Sequence, residues 1–506
     1  MKALISVYDK TGVVDFARSL RGMGIDLVST GGTHQTLKEA DLAVQQVSDL
    51  TGSPEILDGR VKTLHPIIHG GILARRDKPE HVSELATRQM DTIDLVAVNL
   101  YPFAATIAKA GVSLEDALEN IDIGGPTMIR AAAKNFPFVT VVVDPADYPW
   151  VAERMAAGGV TIEERQRLAY KAFQHVALYD TIVAQYLRGN DGDLGQELTL
   201  GYSKLYDLRY GENPHQQAAF YGESSASGIA GAKQLHGKEL SFNNILDADA
   251  AWRAVADFQE PAAAVIKHTN TCGLACHDDQ TEAYRRAFSG DPVSAYGGIV
   301  AFNRPVTGEA AEAMRQVFYE IVLAPSFEPA ALEILKKKRD LRILDMAGLG
   351  VPGKKAWEVR QVSGGVLMQT PDILEEDPQG WDVVTERKPT QEELMDLAFA
   401  WKAVKHVKSN AIVVVKGQTL LGLGAGQPNR IISVQLSLKA AGEASRGAVL
   451  ASDAFFPFAD GVETAGEGGI TAVIQPGGSI RDGEVIEAAN RMGLAMVVTG
   501  VRHFRH

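Results

Sequence analysis

The run Ala3-Leu-Ile-Ser-Val-Tyr-Asp-Lys-Thr-Gly-Val-Val-Asp-Phe-Ala-Arg-Ser-Leu-Arg-Gly-Met-Gly-Ile-Asp-Leu-Val-Ser29 decides the fold class. Its first apolar stretch, Ala3–Val7, has the length of a buried strand. Thr11–Met23 then carries Val13, Ala17 and Leu20 on one helical face and is closed by Gly24. Ile25–Ser29 is a second apolar strand, running into Thr30-Gly31-Gly32-Thr33. Strand, helix and strand joined this tightly form the unit of a doubly wound α/β sheet. Leu95–Leu100 and Val139–Val143 read as further buried strands, and Ser113-Leu-Glu-Asp116 as a capping box that starts a helix.

Outward from that unit, a long helix is expected to start at Thr161, with Glu164 completing its capping box. Leu168, Ala172, Val176, Tyr179, Val183 and Leu187 recur at spacings of three and four and read as its packing face. Gly189-Asn-Asp-Gly-Asp-Leu-Gly195 breaks the pattern and sets the expected boundary of a first domain, 1–195. A second α/β region follows over about 196–360. Gln361-Val-Ser-Gly-Gly365 opens a third, about 361–506, with Ala411–Val415 and Ala448–Ala451 as strands. No short-period repeat or low-complexity segment is visible.

A chain of 506 residues is too long for one core. With 50 basic against 63 acidic residues, its net charge of -13 argues against nucleic-acid and membrane-surface binding, while leaving room for local anion pockets. No apolar run approaches a membrane span, and Met1–Val7 is too short for a signal sequence. The only cysteines, Cys272 and Cys276, fit a reducing cytoplasm. Together with His268 and His277 they could suggest a zinc nucleobase deaminase. That chemistry uses H-x-E and P-C-x-x-C. Here the spacing is C-x-x-x-C and Asn270 stands in place of the Glu, so two buried thiols are the expected reading.

Three constellations carry chemistry. Val265-Ile-Lys-His-Thr-Asn-Thr-Cys-Gly273 ends an apolar strand in a cation, an imidazole and a carboxamide. Strand ends of α/β folds collect ligands, so Lys267 and His268 are a candidate acid–base pair. Neighbours on a regular strand point oppositely, so both serve one site only if the strand ends or kinks, and Asn270 and Gly273 are the expected cause. Gly59-Arg-Val-Lys-Thr-Leu-His-Pro66 packs two cations, a hydroxyl and an imidazole together. With the N–H groups of Thr30–Thr33, and Ser6 and Lys10 at the end of strand 1, it forms a candidate phosphate pocket. Asp122-Ile-Gly-Gly-Pro-Thr127 opens a helix, with Pro126 in the first turn. Asp122, Tyr101, Lys62 and Lys134 offer a carboxylate, a phenol and two amines suited to proton transfer.

These motifs resemble the bifunctional purine biosynthesis family along the whole chain. Ser6-Val-Tyr-Asp-Lys-Thr-Gly12, Gly59–Pro66, Asn99-Leu-Tyr-Pro-Phe103 and Asp122–Gly125 resemble its cyclohydrolase half. Leu208-Arg-Tyr-Gly-Glu-Asn-Pro-His215, Lys267–Asn270, Ser294-Ala-Tyr-Gly-Gly298, Ser452-Asp-Ala-Phe-Phe-Pro-Phe458 and Arg502-His-Phe-Arg-His506 resemble its transformylase half. The resemblance implies a methylglyoxal synthase-like N-terminal domain and two cytidine deaminase-like subdomains without zinc. It implies transfer of a formyl group from 10-formyltetrahydrofolate to 5-aminoimidazole-4-carboxamide ribotide, then closure to inosine monophosphate with loss of water. It implies a homodimer with transformylase sites shared between subunits.

Carried over position by position, the resemblance adds Asn410 near the formyl group and Asp460 as a folate contact. Arg209, Tyr210 and His215 match positions around the ribotide, Arg502 a phosphate ligand, and Phe455 and Phe504 aromatic walls. Phe456 and Phe458 are expected to be ordinary core. Lys62, Tyr101, Asp122 and Lys134 would share the proton transfers of ring closure, with Ser6, Lys10, Thr30, Gly32, Arg60 and Thr63 around the nucleotide. Two positions depart from the family: Thr271, where Pro is common, and Tyr8, where Ser is common. The competing readings are a zinc deaminase, and a first domain that senses a sugar phosphate without turning it over.

Overall fold

The computed structural model describes residues 1–189, 194–223, 227–351 and 357–506. The chain divides into two compact units, Met1–Tyr202 and Ser203–His506. Of the glycine-rich break expected to end the first domain, residues 190–193 lie outside the described residues.

The first unit is built on five parallel strands: β1 (Lys2–Ser6), β2 (Asp26–Ser29), β3 (Val44–Gln46), β4 (Leu95–Val98) and β5 (Thr140–Val142). Their order is β3-β2-β1-β4-β5. β4 and β5 are buried at every position, as strands covered by helices on both faces must be. The chain reverses its direction of winding between β1 and β4, where open α/β sheets bind ligands. The register pairs Ile5 with Ser29 and Ser6 with Val98, so the carboxyl ends of β1, β2 and β4 are level. Helix Ile162–Arg188 starts in the expected capping box of Thr161 and Glu164. Leu168, Ala172, Val176 and Tyr179 are its buried face.

The second unit contains two six-stranded sheets. The first uses β8 (Lys233–His236), β9 (Ala262–Lys267), β10 (Asn270–Cys276), β11 (Gly298–Phe302), β12 (Tyr319–Ala324) and β13 (Arg342–Asp345). The second uses β16 (Asp382–Val383), β17 (Ile412–Val415), β18 (Leu420–Gly424), β19 (Val449–Ser452), β20 (Ala472–Gln475) and β21 (Ala495–Val498). Two hairpins stand apart, β6 (Ser203–Leu208) with β7 (Ala218–Gly222), and β14 (Glu358–Val362) with β15 (Gly365–Gln369).

The two large sheets have one topology, β10-β9-β11-β12-β13-β8 and β18-β17-β19-β20-β21-β16. Each strand of the first has its counterpart eight numbers later. The duplication extends to the helices before β9 and β17. Phe242–Ala256 and Gln391–Lys405 are each 15 residues long, and both start in capping boxes, Ser241 with Asn244 and Thr390 with Glu393. Trp252 and Trp401 occupy equivalent positions in them. Both helices contribute to one core with inward residues of both sheets, among them Ala251, Val255, Ile266, Ala400, Val404 and Val413. The helix ends are joined where His406 Nε2 and Lys405 Nζ each lie 2.6 Å from Asp257 Oδ2. Burial pushes the His406 pKa down, so a neutral His406 donates to an Asp257 carboxylate that Lys405 and this hydrogen bond keep ionised.

Candidate active sites

In the first unit the side chains at the level strand ends are tied to one another. Ser6 Oγ and Thr30 Oγ1 are 2.8 Å apart. Thr33 Oγ1 accepts from Val7 N at 3.0 Å and donates to Val7 O at 2.9 Å. Asn99 Oδ1 accepts from the N–H groups of Tyr8 and Asp9 at 2.7 and 3.0 Å, which clamps the β1 loop to the β4 loop. The side chains of Thr33 and Asn99 tie these loops together, a role that the sequence motifs containing them did not reveal.

Two ammonium groups hang over the start of helix Gly31–Glu39. A Cβ built on Gly31 would lie 3.6 Å from Lys62 Nζ, and one on Gly32 3.8 Å from Lys10 Nζ. Cations are disfavoured at a helix N-terminus, whose unpaired N–H groups form its positive end. An anion seated there satisfies both amines and the helix start. Lys62 is also 3.2 Å from Glu55 Oε2. Arg60 pairs with Glu119 at the surface.

Beside these groups helix Gly124–Lys134 begins. Thr63 is buried, and its Oγ1 would stand 2.7 Å from a Cβ on Gly124. A Cβ on Gly125 would meet Asp122 Oδ2 at 2.5 Å, so the glycine pair is what lets the helix start this close to both side chains. Asp122 Oδ1 accepts from Gly125 N at 2.8 Å, while Asp122 N donates to Tyr179 Oη at 2.8 Å. Burial is the largest influence on the Asp122 carboxyl and raises its pKa, against hydrogen bonds from Gly125 and Tyr101 that lower it. Tyr101 is exposed and receives the ring of Tyr8 edge-on at 5.7 Å. His65 caps the next helix by accepting from Ile67 N at 3.2 Å. Lys134 is not brought to this cluster. It ends the 11-residue helix that Asp122 precedes, roughly 15 Å along the axis from its start. There it opens onto a surface cavity with Arg130, Tyr170 and Phe173.

In the second unit β9 and β10 form a hairpin in which Lys267 pairs with Asn270. Its two-residue turn is His268-Thr269, with φ of 53° and 59°. Positive φ at both central positions is the signature of a type I′ turn, normally taken by Asn and Gly. The kink that frees Lys267 and His268 from strand alternation therefore lies at His268 and Thr269 themselves, rather than at Asn270 and Gly273. Asp247, on the helix before β9, accepts from Thr269 N at 2.7 Å. Asn270 Nδ2 donates to His268 O at 2.9 Å. Burial raises the Asp247 pKa, with the Thr269 N–H and His268 opposing it. Asp247 went unseen in the sequence because its link to the turn is tertiary. Lys267 Nζ donates to Tyr296 O at 2.6 Å, within the Ser294–Gly298 motif.

Asn410 lies two residues before β17, the counterpart of β9. Its Oδ1 accepts from Arg430 Nη2 at 2.6 Å and its Nδ2 donates to Gln427 O at 2.8 Å. Arg430 also pairs with the fully buried Asp453, which Ser409 Oγ contacts from the other side. Arg209, Tyr210 and His215 occupy the loop between β6 and β7, with the Arg209 guanidinium 5.6 Å from the Tyr210 ring. Asn243 Nδ2 donates to Glu212 O at 3.4 Å, tying this loop to the helix that carries Asp247. Asp460 is exposed in the first turn of helix Asp460–Glu467. Phe455 and Phe504 are partly exposed, at 37% and 40%. Phe456 is core, but Phe458 is not: it is 51% exposed beneath the Arg481 guanidinium.

The cysteines cannot share an ion. A bulge in β10 between Thr271 and Gly273 shifts the alternation, so Cys276 enters the core between the sheets while Cys272 packs against the core on the other face. Burial pushes both thiols up to about 12. Thr271 is buried in this strand, and its hydroxyl has no hydrogen-bond partner among the described residues.

Fold and sites together define an α/β enzyme of two units, each gathering ionisable side chains near the ends of its sheet strands. The profile of the AICARFT/IMPCHase bienzyme family matches residues 132–440, and that of the MGS-like domain residues 12–127. A protein of Thermoanaerobacter sp. named bifunctional purine biosynthesis protein PurH is 54% identical over 508 residues, covering 100% of this chain and 99% of its own. A protein of Listeria monocytogenes with the same name is 53% identical over 509 residues, covering 100% of both. The chain belongs to the AICARFT/IMPCHase bienzyme family and is a bifunctional enzyme, a formyltransferase and a cyclohydrolase.

Proposed function

We propose that the enzyme carries out the last two steps of inosine monophosphate synthesis, formyl transfer in the Ser203–His506 unit and ring closure in the Met1–Tyr202 unit. In the first step the ribotide's exocyclic amine attacks the formyl carbon of 10-formyltetrahydrofolate. His268 takes the amine proton. Lys267 stabilises the oxyanion, and the bond to the folate nitrogen breaks as that nitrogen gains a proton. Asn410 donates or accepts at the formyl group, held by Arg430 and Gln427. Arg209, Tyr210, His215, Phe455, Arg502 and Phe504 surround the ribotide, and Asp460 contacts the folate.

In the second step the carboxamide nitrogen attacks the formyl carbon within one bound molecule, so positioning supplies much of the acceleration. Lys10 holds the phosphate over the Gly31 helix start, with Ser6, Thr30, Gly32, Arg60 and Thr63 around the nucleotide, and Lys62 beside it shares the oxyanion stabilisation and proton transfer of ring closure. Asp122 and Tyr101 move the protons that turn the carbinolamine hydroxyl into departing water; Lys134, at the far end of its helix, stands outside this set. Acid–base groups suffice for both steps without a metal.

The observation that carries this reading is the strained hairpin turn that frees Lys267 and His268 to work together, in a unit separate from the paired amines of the phosphate pocket. Opposed placement of the two thiols counts against a zinc deaminase, and the family match counts against a sensor. We further propose a cytoplasmic homodimer. The exposed apolar side chains of the isolated hairpins, Leu205 and Tyr206 on one and Val366 and Leu367 on the other, support a second copy as their cover. Incubation with the ribotide and formyl-folate, followed by absorbance, should yield inosine monophosphate; recovery of unchanged ribotide would overturn the proposal.

A further inference from the structure

The last residues of the sequence alternate in exposure. Arg502, Phe504 and His506 are exposed, whereas His503 is buried and Arg505 half-buried. An extended segment with this period has one anchoring face and one free face. His503 is 2% exposed. Its Nδ1 lies 2.6 Å from Asp372 Oδ2 and its Nε2 2.8 Å from Glu376 Oε1. Two ring nitrogens facing two carboxylates must both be donors, which only an imidazolium provides.

We infer that His503 is a positioning residue for formyl transfer: its imidazolium, clamped between Asp372 and Glu376, pins the 501–506 segment so that Arg502 and Phe504 on either side of it face the ribotide. This rests on reading Arg502 and Phe504 as ribotide contacts. The clamp is itself held. Glu376 accepts from the indoles of Trp401 at 2.9 Å and Trp381 at 3.2 Å. The Trp401 ring packs 5.0 Å from the imidazole. His503 N donates to Asp453 O at 3.1 Å, and the Asp453 carboxylate is occupied by Arg430 and Ser409. The second peg, Arg505, donates to His406 O at 3.0 Å and accepts from Ser409 N at 2.9 Å. One frame thus fixes both Asn410 and the segment that carries Arg502. On the free face the Arg502 guanidinium lies 4.3 Å from the Phe504 ring.

Burial lowers the His503 pKa, but pairing with Asp372 and Glu376 outweighs it and pushes the value up to about 9. The clamp is therefore complete below the ordinary histidine range and is lost as pH rises through about 9. A neutral ring can donate to only one of the two carboxylates.

The test is equilibrium binding of the carboxamide ribotide to the full-length enzyme from about pH 7 to about pH 10. Wild-type affinity should fall about tenfold through the upper half of that range. His503→Gln should bind about tenfold more weakly at neutral pH and lose most of this pH dependence. Its formyl-transfer KM should rise with kcat little changed, the retained kcat reporting that the Ser203–His506 unit is folded, while ring closure of supplied formylated ribotide stays at the wild-type rate. Asp372→Asn should move the break in affinity to lower pH. Wild-type affinity and an unmoved break in both variants would overturn the positioning role. Should His503→Gln fail to fold, the break in Asp372→Asn decides alone. Arg502→Ala tests the underlying reading separately: unchanged affinity there removes the segment from the ribotide site, whatever the His503 variants do.

Discussion

At the scale of single residues, the proposed transformylase site rests on a turn that local preference opposes. His268 and Thr269 hold φ of 53° and 59°, a region costly for branched and bulky side chains. Asp247 sustains the turn by accepting from Thr269 N, so Asp247→Ala should lower formyl-transfer kcat about tenfold or more and leave ring closure intact. Steady-state assays of the two steps on one preparation check this. Asp122 makes the complementary case. Its folded pKa lies above the ordinary 3.8, so ionising it in place costs stability: the stabilisation is full below the ordinary value and lost as pH rises through the folded one. As a base it must be ionised, and ring closure should fall as pH drops through that same value. Asp122→Asn should cut ring closure about a hundredfold or more while melting no lower than wild type at neutral pH, as pH–rate profiles and thermal melts would show. The Lys267–His268 pair was legible as an abrupt polar end to an apolar strand. The turn position was not, because His-Thr lacks the Asn-Gly signature, and Asp247 lies some twenty residues upstream on another element.

At the scale of elements, local signals translated well. The capping box at Thr161 and Glu164 depends on residues three apart, and the helix begins there. Strands β1, β2, β4 and β5 fall within one or two residues of the apolar runs expected of them. The sequence pattern failed where neighbours in space decide. Phe458 follows two phenylalanines in an apolar-looking run, yet its chain segment has left the core and Arg481 covers it. Lys134 stands with Asp122 in sequence, but a helix of 11 residues carries it away. The proposed phosphate pocket assembles at another helix's start, with Arg60, paired with Glu119 at the surface, proposed as its exposed rim. Arg60→Ala should raise the KM for the formylated ribotide about tenfold with less than about 1 kcal/mol change in stability, because its pair with Glu119 is exposed. Titration of nucleotide binding, with a melt as control, measures both.

At the scale of the whole molecule, the second unit is a duplicated fold. Two sheets of identical strand order, each preceded by a 15-residue capped helix, close on one core. No short repeat in the sequence announced it, since apolar residues of similar size can exchange freely while topology persists. The copies have diverged in what they present: the His268 turn after β9, and Asn410 two residues before β17. The α/β class was legible from strand periodicity, and the bifunctional reading from motifs spread along the chain. The central claim is that one polypeptide carries two independent sites for one ribotide skeleton. Its most direct test is to supply formylated ribotide, and separately ribotide with formyl-folate, to His268→Ala and Lys62→Ala. His268→Ala should close the ring at the wild-type rate without forming formylated ribotide, and Lys62→Ala should accumulate formylated ribotide without closing it. Equal loss of both steps in either variant would contradict that claim.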